Sequence, residues 1–583
     1  MLNQIQNPDL QTKTSITLQI KCEKDVILTR AVEIMNRHLR QRNCPEISET
    51  DHASTDQACL ELKINTVLPS EAFQIDLKKD QLLTITGGSS KGVLYGIGKM
   101  LRNASFEEGE FKFGSWVGKS IPQKNVRILY LATHFYNYYH VAPLDEIIEY
   151  IEDNALRGYN GIMLWVDRHH YSNINDPDNI AFAERIKKLY LAGEKVGMSP
   201  VFSGLTNEGY NSTPNHLKAT FTGRCFYGTE ICPSTNEGMD LILKNHEEVL
   251  QLFSDIHFGF LSLWSYDQGG CGCDKCSPWG SNGMLKCARK VAELFHQYHP
   301  NGKIIYSTWL FDDNEWEELG EKLNPNNEPW LDYILADSHT NFPTYPLEKT
   351  IPGNRPMINF PEISMWDMFP WGALGANPLI KRFQKLWGQV CNHCDGGVPY
   401  SEGIFEDLNQ ALYGGFYWNG TNETSQILYE YFNFELGCSC QHNLSKALDI
   451  LEKNHSTAFE LIKVNTDETI RKKLKEGWIR LTSRNLIAYK EFHDDPNTAL
   501  AIVSEIDELL PSWGKQSWRW KIILLRAQID VELKRNNLEI SDRCEAAFEE
   551  LAELFHAKGI SEYKVSPPTR ESIDSFRTSQ WKD

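Results

Sequence analysis

The feature that most constrains this sequence is a strand-then-helix rhythm that begins at Asn125. Short apolar runs, typical of buried strands, alternate with segments of helical periodicity at a spacing of about 35 to 50 residues. We predict eight strands, at residues 126–132, 161–166, 199–203, 258–264, 303–309, 333–336, 356–360 and 397–400. Eight parallel strands, each followed by a helix, close into a barrel. The sequence therefore predicts an α/β fold with a (β/α)8 TIM barrel over residues 121–420.

Two regions flank the predicted barrel. Residues 1–120 carry short strand and helix signals and a glycine-rich turn at 86–92, which indicate a small α+β accessory domain. Residues 421–583 show only helical periodicity, which predicts an all-helical C-terminal region. We expect this helical region to contribute stability, contacts between the subunits of a homo-oligomer, or a wall of a binding cleft.

Composition excludes two classes of partner. The net charge of −19 disfavours nucleic acid, because binding phosphates requires a basic surface. No stretch approaches the roughly 20 apolar residues that span a bilayer, so we expect no membrane partner. The polar N-terminus lacks the pattern of a secretory signal, which predicts a cytoplasmic protein unless a signal has been removed.

Aromatic and ionisable residues recur directly after the predicted strands. Because parallel strands end at one mouth of a barrel, these side chains are expected to converge there. Aromatic rings beside carboxylates and imidazoles favour a carbohydrate cleft over a rim selected for solubility. The predicted sugar-stacking residues are Trp165, Trp264, Trp309, Trp366 and Tyr400. The predicted polar contacts to the sugar are His134, Asp167, His170, Tyr266, Asp312 and His339.

Three carboxylates are the catalytic candidates: Asp267, Glu362 and Glu402. Each follows its predicted strand within a few residues and lies outside any charged helix face. Glycosidases use two carboxyl groups, one to protonate the leaving oxygen and one to attack carbon or activate water. For each residue the competing interpretation is a salt bridge or a hydrogen bond that braces a loop. The sequence predicts a glycoside hydrolase that needs no cofactor for its chemistry, and it leaves the sugar and the stereochemistry open.

Several of these segments resemble a known superfamily. The segments are 361–366 (Pro-Glu-Ile-Ser-Met-Trp), 400–407 (Tyr-Ser-Glu-Gly-Ile-Phe-Glu-Asp) and 266–276, with its CxCxxC spacing. They resemble poorly characterised bacterial glycoside-hydrolase-like barrels of the α-glucuronidase and hexosaminidase-like superfamily. The N-terminal turn around Gly92 and Tyr95 resembles the accessory domain that precedes those barrels. The resemblance covers roughly residues 15–430, and it implies a barrel glycosidase without naming a substrate.

One position departs from the substrate-assisted hexosaminidases within that superfamily. They carry an adjacent Asp-Glu pair after strand four, where this chain has Asp267 and Gln268. An amide does not donate a proton as a carboxylic acid does, so the departure disfavours that mechanism. We therefore expect Asp267 to act as the acid or as a sugar ligand, with Glu362 or Glu402 as base or nucleophile.

The cysteines Cys271, Cys273 and Cys276 have a spacing that suits a soft metal such as zinc. Zinc needs four ligands, and Cys232 or Cys287 is a candidate for the fourth. Inert buried thiols are the competing interpretation.

Two other functions stay open at this point. Histidines near the strand ends suit a metal-dependent barrel hydrolase with His and Asp ligands, although the HxH pair common in such sites is absent after strand one. A non-catalytic carbohydrate-binding barrel would keep the aromatics without needing the carboxylates.

Overall fold

A computed structural model describes residues 16–50, 58–78, 81–107, 109–133, 137–221, 228–266, 269–323, 328–338, 342–364, 377–438, 440–454 and 492–556. The chain divides into two compact units. The first comprises residues 1–122, 429–439 and 509–517, and the second comprises residues 123–428, 440–508 and 518–583. Within the described residues, no helix has both the length and the apolar character needed to cross a bilayer.

The first unit is built on a six-stranded mixed sheet with the order β2-β1-β3-β5-β4-β8, and β6 and β7 form a separate antiparallel pair. The strands are β1 (Thr17–Ile20), β2 (Ser48–Glu49), β3 (Cys59–Ile64), β4 (Phe73–Lys78), β5 (Leu82–Gly87), β6 (Ser105–Glu107), β7 (Glu110–Lys112) and β8 (Gly118–Ser120). Helices Val26–Gln41 and Ser90–Asn103 accompany them. A Cβ atom on Gly92 would lie 2.3 Å from the carbonyl oxygen of Ala72. The glycine-rich turn thus serves close packing.

Part of the predicted helical region belongs to this first unit. The Arg102 guanidinium Nε lies 2.9 Å from Oε2 of Glu430. The Arg42 guanidinium lies 4.3 Å from the ring centre of Phe434 and 4.7 Å from that of Trp513. These contacts join residues far apart in the chain, so helical periodicity alone did not reveal them. The segments of the helical C-terminal region are therefore divided between the two compact units.

The second unit contains the predicted barrel. Its eight parallel strands are β9 (Val126–Leu131), β10 (Gly161–Trp165), β11 (Ser199–Leu205), β12 (Phe260–Trp264), β13 (Lys303–Ser307), β14 (Tyr333–Asp337), β15 (Met357–Phe360) and β17 (Cys394–Gly397). Each strand pairs with the next, β17 pairs with β9, and β9 pairs with β10, so the barrel closes. Short strands β16 (Glu362–Ser364) and β18 (Tyr400–Ser401) continue the seventh and eighth strands and pair with each other, and β18 also pairs with β9. The predicted TIM barrel is confirmed.

Helices alternate with the barrel strands, and further helices follow the eighth strand in the sequence. The α-helices that the structure describes after residue 122 are Tyr138–Val141, Leu144–Leu156, Pro177–Lys195, Asn236–Leu252, Met284–Tyr298, Asp313–Lys322, Thr344–Glu348, Ile380–Val390, Asp407–Asn419, Ser425–Tyr431, Gln441–Lys453, Pro496–Leu509, Ser512–Gln516, Trp518–Arg535 and Asp542–Leu554. Short 3-10 helices span Asn215–Leu217 and Pro352–Asn354, and π-helical turns span Trp279–Gly283 and Phe432–Leu436.

The eighth strand begins earlier than its predicted start at residue 397. The segment Cys394–Gly397 has little apolar character. It forms β17 because its glycines, which lack side chains, let the backbones of the neighbouring strands approach closely. Gly396 has a φ of +120°, and a Cβ there would lie 1.8 Å from the carbonyl oxygen of Val126. The apolar residues that suggested a strand, Val398 and Tyr400, instead lead from β17 into β18.

Three buried threonines link neighbouring strands at the carboxyl-terminal end of the barrel, which we call the mouth. Thr133, Thr206 and Thr308 follow the first, third and fifth strands. Their hydroxyls donate hydrogen bonds of 2.8 Å to the carbonyl oxygens of Trp165, Trp264 and Leu335, respectively. Each acceptor belongs to the next strand around the barrel. These bonds connect the strands in pairs at the level where the loops leave the sheet.

A buried ionic network anchors the helix Asp407–Asn419, which follows the eighth strand. Both Asp407 oxygens accept from the Arg157 guanidinium, at 2.7 and 2.9 Å. Arg519 donates to Asp407 at 2.7 Å and to Asp153 at 3.0 Å. Burial acts to raise the pKa of Asp407, but the two guanidinium charges outweigh it and hold that pKa well below its usual range. The start of this helix is therefore fixed by charge pairs.

Candidate active site

The seventh and eighth strands bring two glutamates to the barrel mouth. Glu362 begins β16, where it stands opposite Tyr400 of β18 in the parallel register. Side chains at paired positions of neighbouring strands point to the same face of the sheet. Glu402 follows two residues after Tyr400, and its carboxylate accepts a hydrogen bond from the Tyr400 hydroxyl. Glu362 is 9% exposed and Glu402 is 1% exposed. Two buried carboxyl groups therefore flank one tyrosine.

Aromatic rings fill the barrel interior next to these glutamates. Tyr400 packs edge-on against Tyr130 and Phe360, with ring centres 5.1 and 5.5 Å away. Phe360 in turn lies 4.9 Å from the ring centre of Trp264. All four rings belong to the core cluster inside the barrel.

The predicted stacking residues differ in exposure. Trp165 and Trp264 are each 4% exposed and Tyr400 is 6% exposed, because they pack into the barrel core. Trp309 is partly exposed and packs against that core, with its ring centre 5.5 Å from Phe360. Among the described stacking candidates, Trp309 therefore presents the larger share of its surface.

A second cluster forms after the second and third strands. Nδ1 of His169 lies 2.7 Å from Oε1 of Glu208 and 3.8 Å from Oδ1 of Asp167. The same Glu208 oxygen accepts from the backbone amides of Arg168 and His169, at 3.0 and 3.1 Å. His170 lies on the other side of Asp167, with Nε2 3.6 Å from Oδ2. One glutamate thus holds the loop that carries Asp167 and both histidines.

Charges in this cluster shift the pKa values of His169 and Glu208 in opposite directions. Burial acts to lower the pKa of His169, but the hydrogen bond to Glu208 and the charges of Asp167 and Glu208 raise it overall. Burial likewise acts to raise the pKa of Glu208, but His169 and Arg168 lower it overall. Both shifts favour the charged forms, imidazolium at His169 and carboxylate at Glu208. Oε2 of Glu208 is buried without a hydrogen-bond partner among the described residues.

His246 supports the loop that carries Glu208. Nη2 of Arg168 lies 3.1 Å from Nδ1 of His246, and a guanidinium only donates, so Nδ1 is the acceptor. Nε2 therefore carries the proton and donates to the carbonyl oxygen of Thr206 at 3.1 Å. Burial and the charge of Arg168 hold the pKa of His246 well below its ordinary value. This neutral histidine fixes Thr206, two residues before Glu208.

Sequence reasoning did not select Glu208 or His246 as site residues, and it grouped His169 with the other histidines near the strand ends without a partner. The available signal was the run Thr206-Asn207-Glu208, directly after the third strand. His169 lies beside the predicted ligand His170, yet His169 is the more buried of the two and makes the ion pair.

Two predicted sugar ligands have structural partners. The Asp312 side chain accepts from the backbone amide of Glu315 at 2.9 Å and caps the helix Asp313–Lys322. The Tyr266 hydroxyl donates to the carboxylate of Glu315 and accepts from the backbone amide of Gly280 at 3.2 Å. Both residues thus brace neighbouring loops at the mouth. The candidates His134, Asp267, His339 and Trp366 lie outside the described residues.

Two groups have side chains that could hold a metal. The ligand atoms of Asp167, His169 and His170 lie within 4.8 Å of one another. The thiols of Cys232, Cys271, Cys273 and Cys276, which we call the cysteine cluster, also lie within 4.8 Å of one another. Cys287, the other candidate for the fourth thiol, lies in the helix Met284–Tyr298 outside that group.

Comparison with known proteins gives matches of structure. No protein-family model and no curated protein matches the sequence. A glycoside hydrolase family 138 enzyme targeting the pectin rhamnogalacturonan II matches with a TM-score of 0.54 and 12% identity, over 93% of this chain and 89% of that one. A family 115 4-O-methyl-α-glucuronidase matches with a TM-score of 0.57 and 10% identity, over 94% and 77%.

A family 89 glycoside hydrolase from Clostridium perfringens, in complex with PUGNAc, matches with a TM-score of 0.59 and 13% identity. That match covers 91% of this chain and 64% of the enzyme. At such identities the likeness concerns the fold. The fold of this chain is similar to the (β/α)8 barrel fold of these glycoside hydrolases.

Proposed function

We propose that this protein hydrolyses a glycosidic bond with Glu362 and Glu402. The observation that carries the proposal is the arrangement of these two buried glutamates beside Tyr400, at the mouth of a glycosidase-like barrel. Active sites of TIM barrels lie at this mouth. Paired carboxyl groups at one cleft are the machinery of glycoside hydrolysis.

The two glutamates receive different roles. The Tyr400 hydroxyl donates to Glu402 and so stabilises its ionised form, which suits a nucleophile or a base. Glu362 is then the acid, which transfers its proton to the glycosidic oxygen as the bond from that oxygen to the anomeric carbon breaks. Glu402 either bonds to the anomeric carbon, to be released later by water, or accepts a proton from the water that attacks it. No cofactor takes part.

The cluster after the second and third strands suits sugar binding. Asp167 and His170 lie at the same mouth and can pair with hydroxyl groups, while Glu208 holds their loop in place. The partly exposed Trp309 offers an apolar face to the ring of a sugar.

A screen of aryl glycosides with uronic, N-acetylamino and neutral sugars tests the activity. On any hydrolysed substrate, Glu402→Gln is expected to lower kcat about 10²-fold or more for every leaving group. Glu362→Gln is expected to lower kcat as much for poor leaving groups but far less for dinitrophenolate, because that group needs no protonation. The control Glu328→Gln changes a buried glutamate that pairs with Arg289, in a connection preceding the sixth strand. It should leave kcat within about threefold, since this glutamate lies before a barrel strand rather than after one.

The outcome also decides the place of Asp267. If Asp267→Asn shows the leaving-group dependence expected of Glu362→Gln, the acid is Asp267. If both glutamine variants keep kcat within about tenfold of the parent enzyme, the two-glutamate mechanism is wrong. Sugar binding without turnover of any glycoside would favour a carbohydrate-binding barrel.

The grouping of Asp167, His169 and His170 favours a second candidate, a metal-dependent hydrolase. A bound divalent ion would activate water for attack. Turnover that a chelator abolishes and added metal restores would support this candidate, provided that His170→Ala removes the same activity. Turnover that persists in a chelator would support the two-glutamate mechanism.

A further inference from the structure

The cysteine cluster joins two loops at the barrel mouth. Cys232 lies between β11 and the helix Asn236–Leu252, whereas its three partners lie between β12 and the helix Met284–Tyr298. Cys271 and Cys276 are buried, and Cys232 and Cys273 are partly exposed. The carbonyl oxygen of Cys273 accepts from the backbone amide of Cys276 at 2.9 Å, and this turn places both thiols on one side of the loop.

The spacing of the thiols fits one tetrahedral ion. Zinc binds thiolate sulfur at about 2.3 Å, so four tetrahedral ligands stand roughly 3.8 Å from one another. The Sγ atoms of Cys232 and Cys273 are 3.8 Å apart. No disulfide joins any of the cysteines that the structure describes. Four sulfur ligands leave no open position for a substrate, which is typical of structural zinc.

Asn207 connects the same two loops beside the cysteine cluster. Its side-chain amide donates to the carbonyl oxygen of Ile231 at 2.9 Å and to that of Gly270 at 3.0 Å. The Asn207 Oδ1 accepts from the amide of Gly270 at 3.1 Å. Ile231 and Gly270 directly precede Cys232 and Cys271, and Asn207 directly precedes Glu208. A constraint on the two loops is therefore transmitted to the backbone at Glu208.

We propose that the cysteine cluster binds one structural zinc ion, which ties the loop after β11 to the loop after β12 and holds the backbone beside Glu208. The ion does no chemistry on the substrate. The zinc site shares no residue with the two-glutamate mechanism, so the experiments below test it separately from the proposed glycosidase activity.

Metal analysis of protein purified without chelators tests the site. The full-length protein, from zinc-supplemented culture, is expected to hold one zinc per chain. Cys271→Ser and Cys276→Ser should each reduce zinc to below about a fifth of an equivalent. The control Cys391→Ser removes a partly exposed thiol elsewhere in the same unit and should keep the zinc.

A cysteine variant that misfolds would also lose zinc, so the site is tested on the unaltered protein as well. Titration with an organomercurial should release zinc as four protected thiols react. After that release, hydrogen exchange should accelerate in peptides that contain Ile231 and Gly270, whose amides bond to Asn207. Less than about a tenth of an equivalent of zinc, iron in its place, or disulfides among the four cysteines would overturn the proposal.

Discussion

Glu208 and His169 form a buried ion pair, with Oε1 and Nδ1 2.7 Å apart, directly after neighbouring barrel strands. The glutamate also accepts from two backbone amides of the loop that carries Asp167 and His170. A carboxylate from the third strand thereby sets the geometry of polar residues after the second.

This pair predicts a pH dependence. The pKa of His169 is higher in the folded than in the unfolded protein, so its protonation stabilises the fold. This contribution is fully present at a pH below the unfolded pKa of about 6.5, and it is lost as the pH rises through the folded pKa. The lowered pKa of Glu208 contributes stability at a pH above its unfolded pKa of about 4.3, and this contribution is lost as the pH falls through its folded pKa. Glu208→Gln should therefore lower the pKa of His169, measured by NMR titration of its imidazole. An unchanged titration curve would contradict the ion pair.

The hydroxyl of Tyr400 is expected to matter for catalysis. Tyr400→Phe removes the hydrogen bond to Glu402, and a bond to a charged group contributes about 1.5–3 kcal/mol. We expect kcat/KM to fall roughly 10- to 150-fold, measured on the best aryl glycoside. The control Tyr413→Phe removes a buried hydroxyl that has no hydrogen-bond partner among the described residues, and it should leave activity unchanged. Equal kcat/KM values for the two variants would show that the Tyr400 hydroxyl has no role in catalysis.

Asp407 is expected to be important for stability. Asp407→Asn leaves the buried guanidinium groups of Arg157 and Arg519 without their shared carboxylate, which should cost about 3–5 kcal/mol in urea unfolding at neutral pH. Because the folded pKa of Asp407 is depressed, its contribution is present above about 3.9 and is lost as the pH falls through the folded value. The control Asp240→Asn changes an exposed carboxylate on the helix Asn236–Leu252 and should cost less than about 0.5 kcal/mol. Similar losses in the two variants would refute the role of the network.

Gly396 is expected to resist substitution. Gly396→Ala adds a Cβ 1.8 Å from the carbonyl oxygen of Val126 at a φ of +120°, so β17 must move away from β9. The control Gly228→Ala also has a positive φ, but its Cβ meets no atom of the described residues within 4 Å. The free energy of unfolding should fall by about 1–3 kcal/mol more for Gly396→Ala than for the control. Equal losses would show that backbone conformation alone limits this position.

Apolar runs located the barrel, because buried parallel strands need continuous hydrophobic residues. The same reasoning placed the eighth strand late, since Gly396 and Gly397 enter the sheet through lack of a side chain. Exposure was harder to predict. Trp264 and Trp309 are both the last residues of predicted strands, yet only contacts across the barrel place Trp264 in the core. The ion pair of His169 with Glu208 likewise depends on which loops become neighbours after closure.

The threonines at the mouth have a consequence for where acids can stand. Thr206 links the third strand to the fourth, and Thr133 links the first to the second through the carbonyl of Trp165. Glu208 lies two residues after Thr206, and Asp167 lies two residues after Trp165. The hydrogen-bonded strand ends are fixed positions, and each carboxylate lies two residues beyond one of them. Loop segments beyond Glu208 and Asp167 can therefore change in length and sequence without moving these carboxylates relative to the barrel.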